Sequence, residues 1–190
     1  GDGFVKKLQF TGRYHGNFID SDNEFAPVPG SDSGWDHRRF RAGVKAKLAN
    51  NLTFQNIYNL DTTPTFNGDS FVANIDELFI QWDPSKEVYI TIGKQKQKIL
   101  SEYRNSSNNL FVFERSILTQ NVISQKLWGA AVGFKTAGLS HEVGIWGAAF
   151  ENDFAWPSFE NAGPSLTYRA NYKVDDSTTL FFDYQFVDQN

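Results

Sequence analysis

Apolar and polar residues alternate along most of this chain, one position at a time. Leu8, Phe10, Gly12, Tyr14, Gly16 and Phe18 share one side of the first segment, and Gln9, Thr11, Arg13, His15 and Asn17 share the other. In the second, Phe40, Ala42, Val44, Ala46 and Leu48 oppose Arg39, Arg41, Gly43, Lys45 and Lys47. A period of two with one apolar and one polar face is the signature of a β-strand. The third segment, roughly 52–60, keeps the rhythm through Leu52, Phe54, Tyr58 and Leu60 but stumbles at Asn56 and Ile57. The fourth, roughly 71–82, ends with Leu78, Ile80 and Trp82 on one face. Val88, Ile90 and Ile92 continue the series, as do Trp128, Ala130, Val132 and Phe134, then a segment near 139–150 diluted by Gly and Ala. Leu166 to Tyr172 and Leu180 to Phe186 complete about nine strands. No helical period runs over a useful length, apart from room for a turn or two within 99–118.

The connections sort by length. Residues 49–51, 83–86, 136–138 and 175–177 are short and carry turn residues such as Asn, Asp, Pro and Gly. Residues 19–34, 61–70, 97–125 and 151–163 read as long loops. Short turns at one end and long loops at the other is the layout of an outer-membrane β-barrel. Strands of about 9–11 residues with aromatics near their ends fit a tilted bilayer crossing and its aromatic girdles. A soluble β-sandwich binding module is the alternative, and it would scatter its loop lengths more freely.

Composition narrows the choice. Mean hydropathy is −0.45, and no run of about 18 apolar residues appears, so no helix is marked to cross a membrane. A barrel needs no such run, because only alternate residues meet lipid. With 18 basic and 22 acidic residues the formal charge is −4, which argues against nucleic acid as a partner. Cysteine is absent, removing disulfides, thiolate metal sites and Cys nucleophiles. The chain starts Gly-Asp-Gly without a basic-then-apolar leader and stops just after a strand pattern. A piece of a longer protein is the expectation.

The net charge hides a segregation. Arg38, Arg39, Arg41, Lys45 and Lys47 crowd residues 38–47 without an acid, and Arg13 and Arg169 lie on other polar faces. Asp20, Asp22, Glu24 and Asp32 fall in the first long loop, and Glu151, Asp153 and Glu160 in the last. On a soluble sheet this is a basic exposed strand; in a barrel it is a pore wall that attracts anions. The stretch SEYRNSSNNLFVFERS, 101–116, breaks the alternation. It reads as an ordinary external loop or as one folded inward to narrow the channel. Arg104 and Arg115 offer guanidinium forks suited to phosphate or carboxylate, Ser106 and Ser107 offer hydroxyls, and Leu110, Phe111 and Phe113 could anchor it. Lys94, Lys96 and Lys98 precede it.

Other chemistry finds little support. There is no P-loop, dinucleotide fingerprint, G-x-S-x-G elbow or H-E-x-x-H. DSDNE at 20–24 lacks the Gly of a calcium loop. Asp76 and Glu77 are adjacent, so a regular strand would aim them at opposite faces. Neither an enzyme nor a cofactor is indicated, and His15 and His37 are expected along the wall beside basic residues.

The order GRYHG, DSGWDHRRFRAGVKAKL, NIDELFIQW, TIGKQKQK, SEYRNSSNN and FERS resembles the phosphate-selective porin O and P family of Gram-negative outer membranes, best from about Gly12 to Phe134. Each motif alone is weak; their order together is specific. The resemblance implies an antiparallel transmembrane β-barrel of roughly sixteen strands, of which this chain would supply about nine. It also implies a homotrimer in the outer membrane, contact with its lipid, and a third long loop, about 97–125, folded in as the constriction. By the same resemblance the anion site takes Arg38 and Arg39 from the basic strand, Asp76 as a shaping acid, Ser106 and Ser107 as phosphate donors, and Arg115. Where phosphate-specific members carry a loop lysine this chain has Tyr103, with Arg104 beside it as a substitute charge. Residues 1–190 are then one part of a single barrel passing inorganic phosphate or other small anions. The alternative within that fold is a general or sugar-passing pore, which Tyr103 favours. Strand parity is the tension: if Leu78, Ile80 and Trp82 face lipid, Asp76 does too unless a bulge turns it, and Arg38 has the same difficulty beside Arg39.

Overall fold

The computed structural model describes residues 3–23, 30–60, 74–99, 126–136, 138–147 and 164–187. Within them run nine strands: β1 (Val5–Asn23), β2 (Gly30–Leu48), β3 (Leu52–Asn59), β4 (Ile75–Trp82), β5 (Val88–Lys96), β6 (Lys126–Thr136), β7 (Leu139–Trp146), β8 (Ser165–Lys173) and β9 (Thr179–Val187). They form one sheet in sequence order, each strand antiparallel to the next. The β1–β2 hairpin corrects the expected loop over 19–34. Both strands run 19 residues, so Asp20, Asp22 and Asp32 belong to paired strands rather than to a loop. The fourth strand starts at Ile75 rather than near 71, and residues 71–73 lie outside those described.

Turn chemistry fixes the register at the short-turn end. Asn50 and Asn51 have φ of 57° and 58°, and the Leu52 amide donates to the Ala49 carbonyl at 3.3 Å. Two consecutive left-handed residues make a type I′ turn, whose twist matches that of the strands it joins, and Asn tolerates that conformation. At the β8–β9 turn one Asp175 oxygen accepts the Ser177 and Thr178 amides at 2.8 and 2.7 Å. The Ser177 hydroxyl and these amides hold the exposed carboxyl below its ordinary range.

Register then carries one row of side chains across all nine strands: Leu8, Ala46, Phe54, Ile80, Ile92, Ala130, Ile145, Leu166 and Phe186. Most of its neighbours are large, apolar and open to the surroundings, up to Phe10 at 77 %. Aromatic pairs stud this face, Tyr14 on Phe40 at 6.2 Å and Phe18 on Trp35 at 5.8 Å, both edge-on. The adjacent row, on the other face, reads Lys7, Lys47, Thr53, Gln81, Thr91, Ala131, Gly144, Thr167 and Gln185. Here polar groups are buried, Thr91, Gln95, Gln97, Glu142, Ser165 and Thr167 among them, beside a small apolar cluster of Leu127, Ala131 and Trp146.

A water-soluble sandwich buries its apolar face and solvates the polar one. This sheet does the reverse. Residues of β1 to β6 and of β8 line a common space of about 970 Å³, so the sheet curls with its polar face concave. The third strand shows how sequence irregularity is absorbed. Ile57 pairs with Gly43 and Glu77 on the polar side, Asn56 with Val44 and Leu78 on the apolar side, and a bulge follows between Ile57 and Tyr58.

Close packing at the curl needs glycine at one position above all. Gly93 has φ +130°, and a Cβ there would overlap the Leu78 carbonyl and the Phe79 Cα. Gly93→Ala therefore meets both backbone strain and a collision with backbone. We expect it to cost about 1–3 kcal/mol, read as a lower urea midpoint for loss of β-structure in detergent-folded protein. An unchanged midpoint would show that the strand relaxes without cost.

Candidate functional site

Two clusters of charge form on the concave face. The first grows from an irregularity in β4. Ile57 pairs with Glu77 and Tyr58 with Ile75, so Asp76 is the extra residue of the bulge. A bulge re-aims one side chain without shifting the rest of the strand. Asp76 thereby escapes the apolar face that plain alternation assigns it. It is 7 % exposed, and one of its oxygens receives Arg41 at 3.1 Å together with the Lys126 ammonium. Glu77 takes the same ammonium at 3.1 Å and accepts from Gln55. Adjacent acids thus share one cation, which corrects the expectation that they point to opposite faces. Arg41 is oriented further by Asn59, which accepts its Nε at 2.8 Å, and Lys94 is buried within electrostatic reach of Asp76 and Lys126.

The second cluster lies in a row of neighbours, Tyr89, Gly133, Glu142 and Arg169. Gly133 has no side chain, and the Tyr89 ring occupies the place where its Cβ would be. The ring can therefore reach across β6, and its hydroxyl donates to Glu142 on β7. Glu142 also faces Lys98 Nζ at 3.5 Å and Arg169 at 3.7 Å. Lys98 does not belong to a strand. The segment 97–99 leaves β5 and crosses the concave face toward β7, β8 and β9. Gln97, fully buried, accepts from Gln185 at 3.4 Å and donates to Ser165 at 3.5 Å. Arg169 donates to the Lys98 carbonyl at 3.2 Å, and the Lys98 ammonium lies 5.4 Å from the Tyr89 ring centre.

Toward the short turns the polar face opens into the 970 Å³ space already noted. Its walls include Lys6, Lys47, Lys86, Lys98, Lys135 and Arg169 against a single acid, Asp83. Lys47 and Lys135 are exposed to it.

The expected site residues divide among these places. Arg41 and Asp76 come together in the first cluster. Arg39 is half-buried and pairs with His15 across the hairpin. Arg38 is the extra residue of a second bulge, since His15 pairs with Arg39 and Gly16 with His37. Arg104, Ser106, Ser107 and Arg115 lie outside the described residues, as does the expected constriction loop beyond 99. Alternation could not single out Lys126, Glu142 or Tyr89. Glu142 had one signal: it is the acid on the polar face of β7, between Ser140 and Gly144. His141 sits on the apolar face, stacked on Phe134 at 4.9 Å and bonded through Nδ1 to the Tyr168 hydroxyl at 2.7 Å. Among the described residues no group of His, Asp and Glu could hold a metal ion.

The family model for phosphate-selective porins O and P matches residues 8–181. The chain belongs to this family. Its fold is similar to that of a solved BenF-like porin from Pseudomonas fluorescens Pf-5, with a TM-score of 0.53 and 14 % identity over 97 % of this chain. The match takes in 51 % of that porin, so the chain spans about half its length. No curated protein matches the sequence significantly. The nine strands are those of a porin-type antiparallel β-sheet, and the inverted faces have their explanation in it: apolar side chains outward, polar side chains toward a water-filled interior.

Asp76 tests the first cluster. Asp76→Asn removes the acid from two cations that stay close together. We expect a loss of about 1.5–3 kcal/mol, the range for hydrogen bonds to charged groups, measured by unfolding of the whole porin in detergent. Adding Arg41→Gln should recover part of it. Two losses that simply add would mean that the pair is not coupled.

Proposed function

We propose that this porin passes small anions through the outer membrane by passive diffusion, with phosphate-like ions foremost. One observation carries the reading: the space at the short-turn end has six basic side chains on its walls and one acid. Cations on low-dielectric walls focus their field into the opening and raise the local anion concentration. Weak successive sites then let an ion leave as readily as it enters. Arg39 and Arg41 extend the basic wall along β2, and Arg41 is partly occupied by Asp76. The finer selection is assigned to Arg38, Arg104, Ser106, Ser107 and Arg115, whose guanidinium forks and hydroxyls match phosphate geometry. The apolar convex face meets outer-membrane lipid, and the assembly is taken to be a homotrimer. The protein acts as a channel, not an enzyme.

A second reading, a less selective pore that also passes sugars or other neutral solutes, has its own support. Asp76, Glu77 and Glu142 each hold cations on the same face. Those ion pairs lower the field that a free arginine or lysine would exert.

The reversal potential of the whole protein in a planar bilayer under a KCl gradient separates the two. Anion transport gives a chloride-directed potential and conductance blocked by added phosphate. A near-zero potential without block supports the less selective pore. Lys47→Glu with Lys135→Glu should move the potential toward the cation side at low salt. The shift should shrink above about 1 M, where the Debye length is near 3 Å. Arg115→Ala should weaken phosphate block; retention of full block would remove Arg115 from the site.

A further inference from the structure

Glu142 has an arrangement that anion attraction does not call for. A carboxylate facing a passage for anions opposes their entry, yet this one is 7 % exposed and central to its cluster. Its partners differ in kind. Tyr89 and Arg169 belong to the wall, on β5 and β8. Lys98 belongs to the segment that has left the wall. We infer that Glu142 is a positioning residue: it clamps residues 97–99 against the concave face and so sets where the chain enters the passage after β5.

Three features support the clamp. First, its wall half is assembled without the segment. Tyr89 reaches Glu142 over Gly133, and Arg169 is the cross-strand neighbour of Glu142 on β8. The acceptor is thus oriented before Lys98 arrives, which limits the entropy lost on docking. Second, the segment is held at more than one point. The Lys98 ammonium meets Glu142 at 3.5 Å while its carbonyl accepts from Arg169 at 3.2 Å. One residue bonded through both side chain and backbone has little freedom to rotate. Third, Gln97 beside it is fully buried between Ser165 and Gln185. Burial of an amide is tolerated when it finds such partners, and those partners are in reach only while the segment lies across β8 and β9. The carboxylate is thereby masked by two cations and a phenol, which lets an anion pathway contain it.

The inference uses the pore reading for its electrical test but does not depend on anion preference. Two variants separate positioning from charge. Glu142→Gln removes the charge and the clamp. Tyr89→Phe removes one hydrogen bond to the clamp and leaves every charge in place. Amide hydrogen exchange on the detergent-folded whole protein is read at 97–99 and along β7. In both variants exchange at 97–99 should accelerate by about tenfold or more, as loss of a hydrogen bond to a charged acceptor implies, while β7 keeps its protection. In planar bilayers above about 1 M KCl, where lumen charges are screened, both variants should raise open-channel current noise as the segment moves. A Glu142→Gln that alters only low-salt selectivity, with Tyr89→Phe silent and exchange at 97–99 unchanged, would overturn the clamp and leave Glu142 as a lumen charge. Wild-type protein that forms no pores would sink the pore reading, and the exchange comparison would still decide the clamp.

Discussion

Backbone hydrogen bonding constrains everything else in this molecule. A sheet that exposes apolar side chains to lipid has no water on that side to satisfy a stray amide or carbonyl, so each strand must find its partners in the next. Among the described residues, nine antiparallel strands meet that demand by each bonding to its neighbour in sequence. Once the ladder is fixed, side-chain direction follows with a period of two, and a slip of one residue would expose every charge to hydrocarbon. The chain can therefore vary its interior chemistry at alternate positions or where a bulge adds a residue; Lys94, the buried cross-strand neighbour of Leu78 and Trp128, is an exception.

That explains what could be read from the sequence. The row from Leu8 to Phe186 and the basic face of β2 follow from alternation, and both appear where alternation puts them. The turn at Asn50 and Asn51 follows from local conformational preference. The length of the β1–β2 hairpin does not, because Asp, Ser and Gly at 19–23 and 30–34 have loop composition, and cross-strand pairing overrides it. Asp76 was legible as a candidate but not as an inward residue. The bulge depends on how β3 and β4 fit, and no residue in IDELFIQW announces it. Lys126 and Glu142 were hidden for a different reason. Their partners are 50 and 44 residues away in the chain, on Asp76 and Lys98, and spacing along a strand carries no information about such pairs.

The concave face also shows how clustered cations avoid excess repulsion. Arg41, Lys94 and Lys126 would repel one another without Asp76 and Glu77 between them. Acids there cost field strength but allow cations to be held at fixed positions rather than swinging in water. Toward the short turns lysines dominate the walls. Charge is thus used in two manners on one surface, structurally where side chains are shielded and electrostatically where they are open.

The sequential order of the sheet has a consequence for assembly. Among the described residues every strand-to-strand pairing joins neighbours in sequence, so the wall can grow one hairpin at a time. The segment 97–99 departs from that rule. It follows β5 directly, yet its partners Glu142, Arg169, Ser165 and Gln185 lie on β7, β8 and β9. Those strands come later in the chain, so the segment can meet Glu142 only after β7 has formed, and it completes its contacts only with β9. The interior is furnished after the wall beside it is built, and a protein halted before its ninth strand would lack the Gln185 anchor of Gln97.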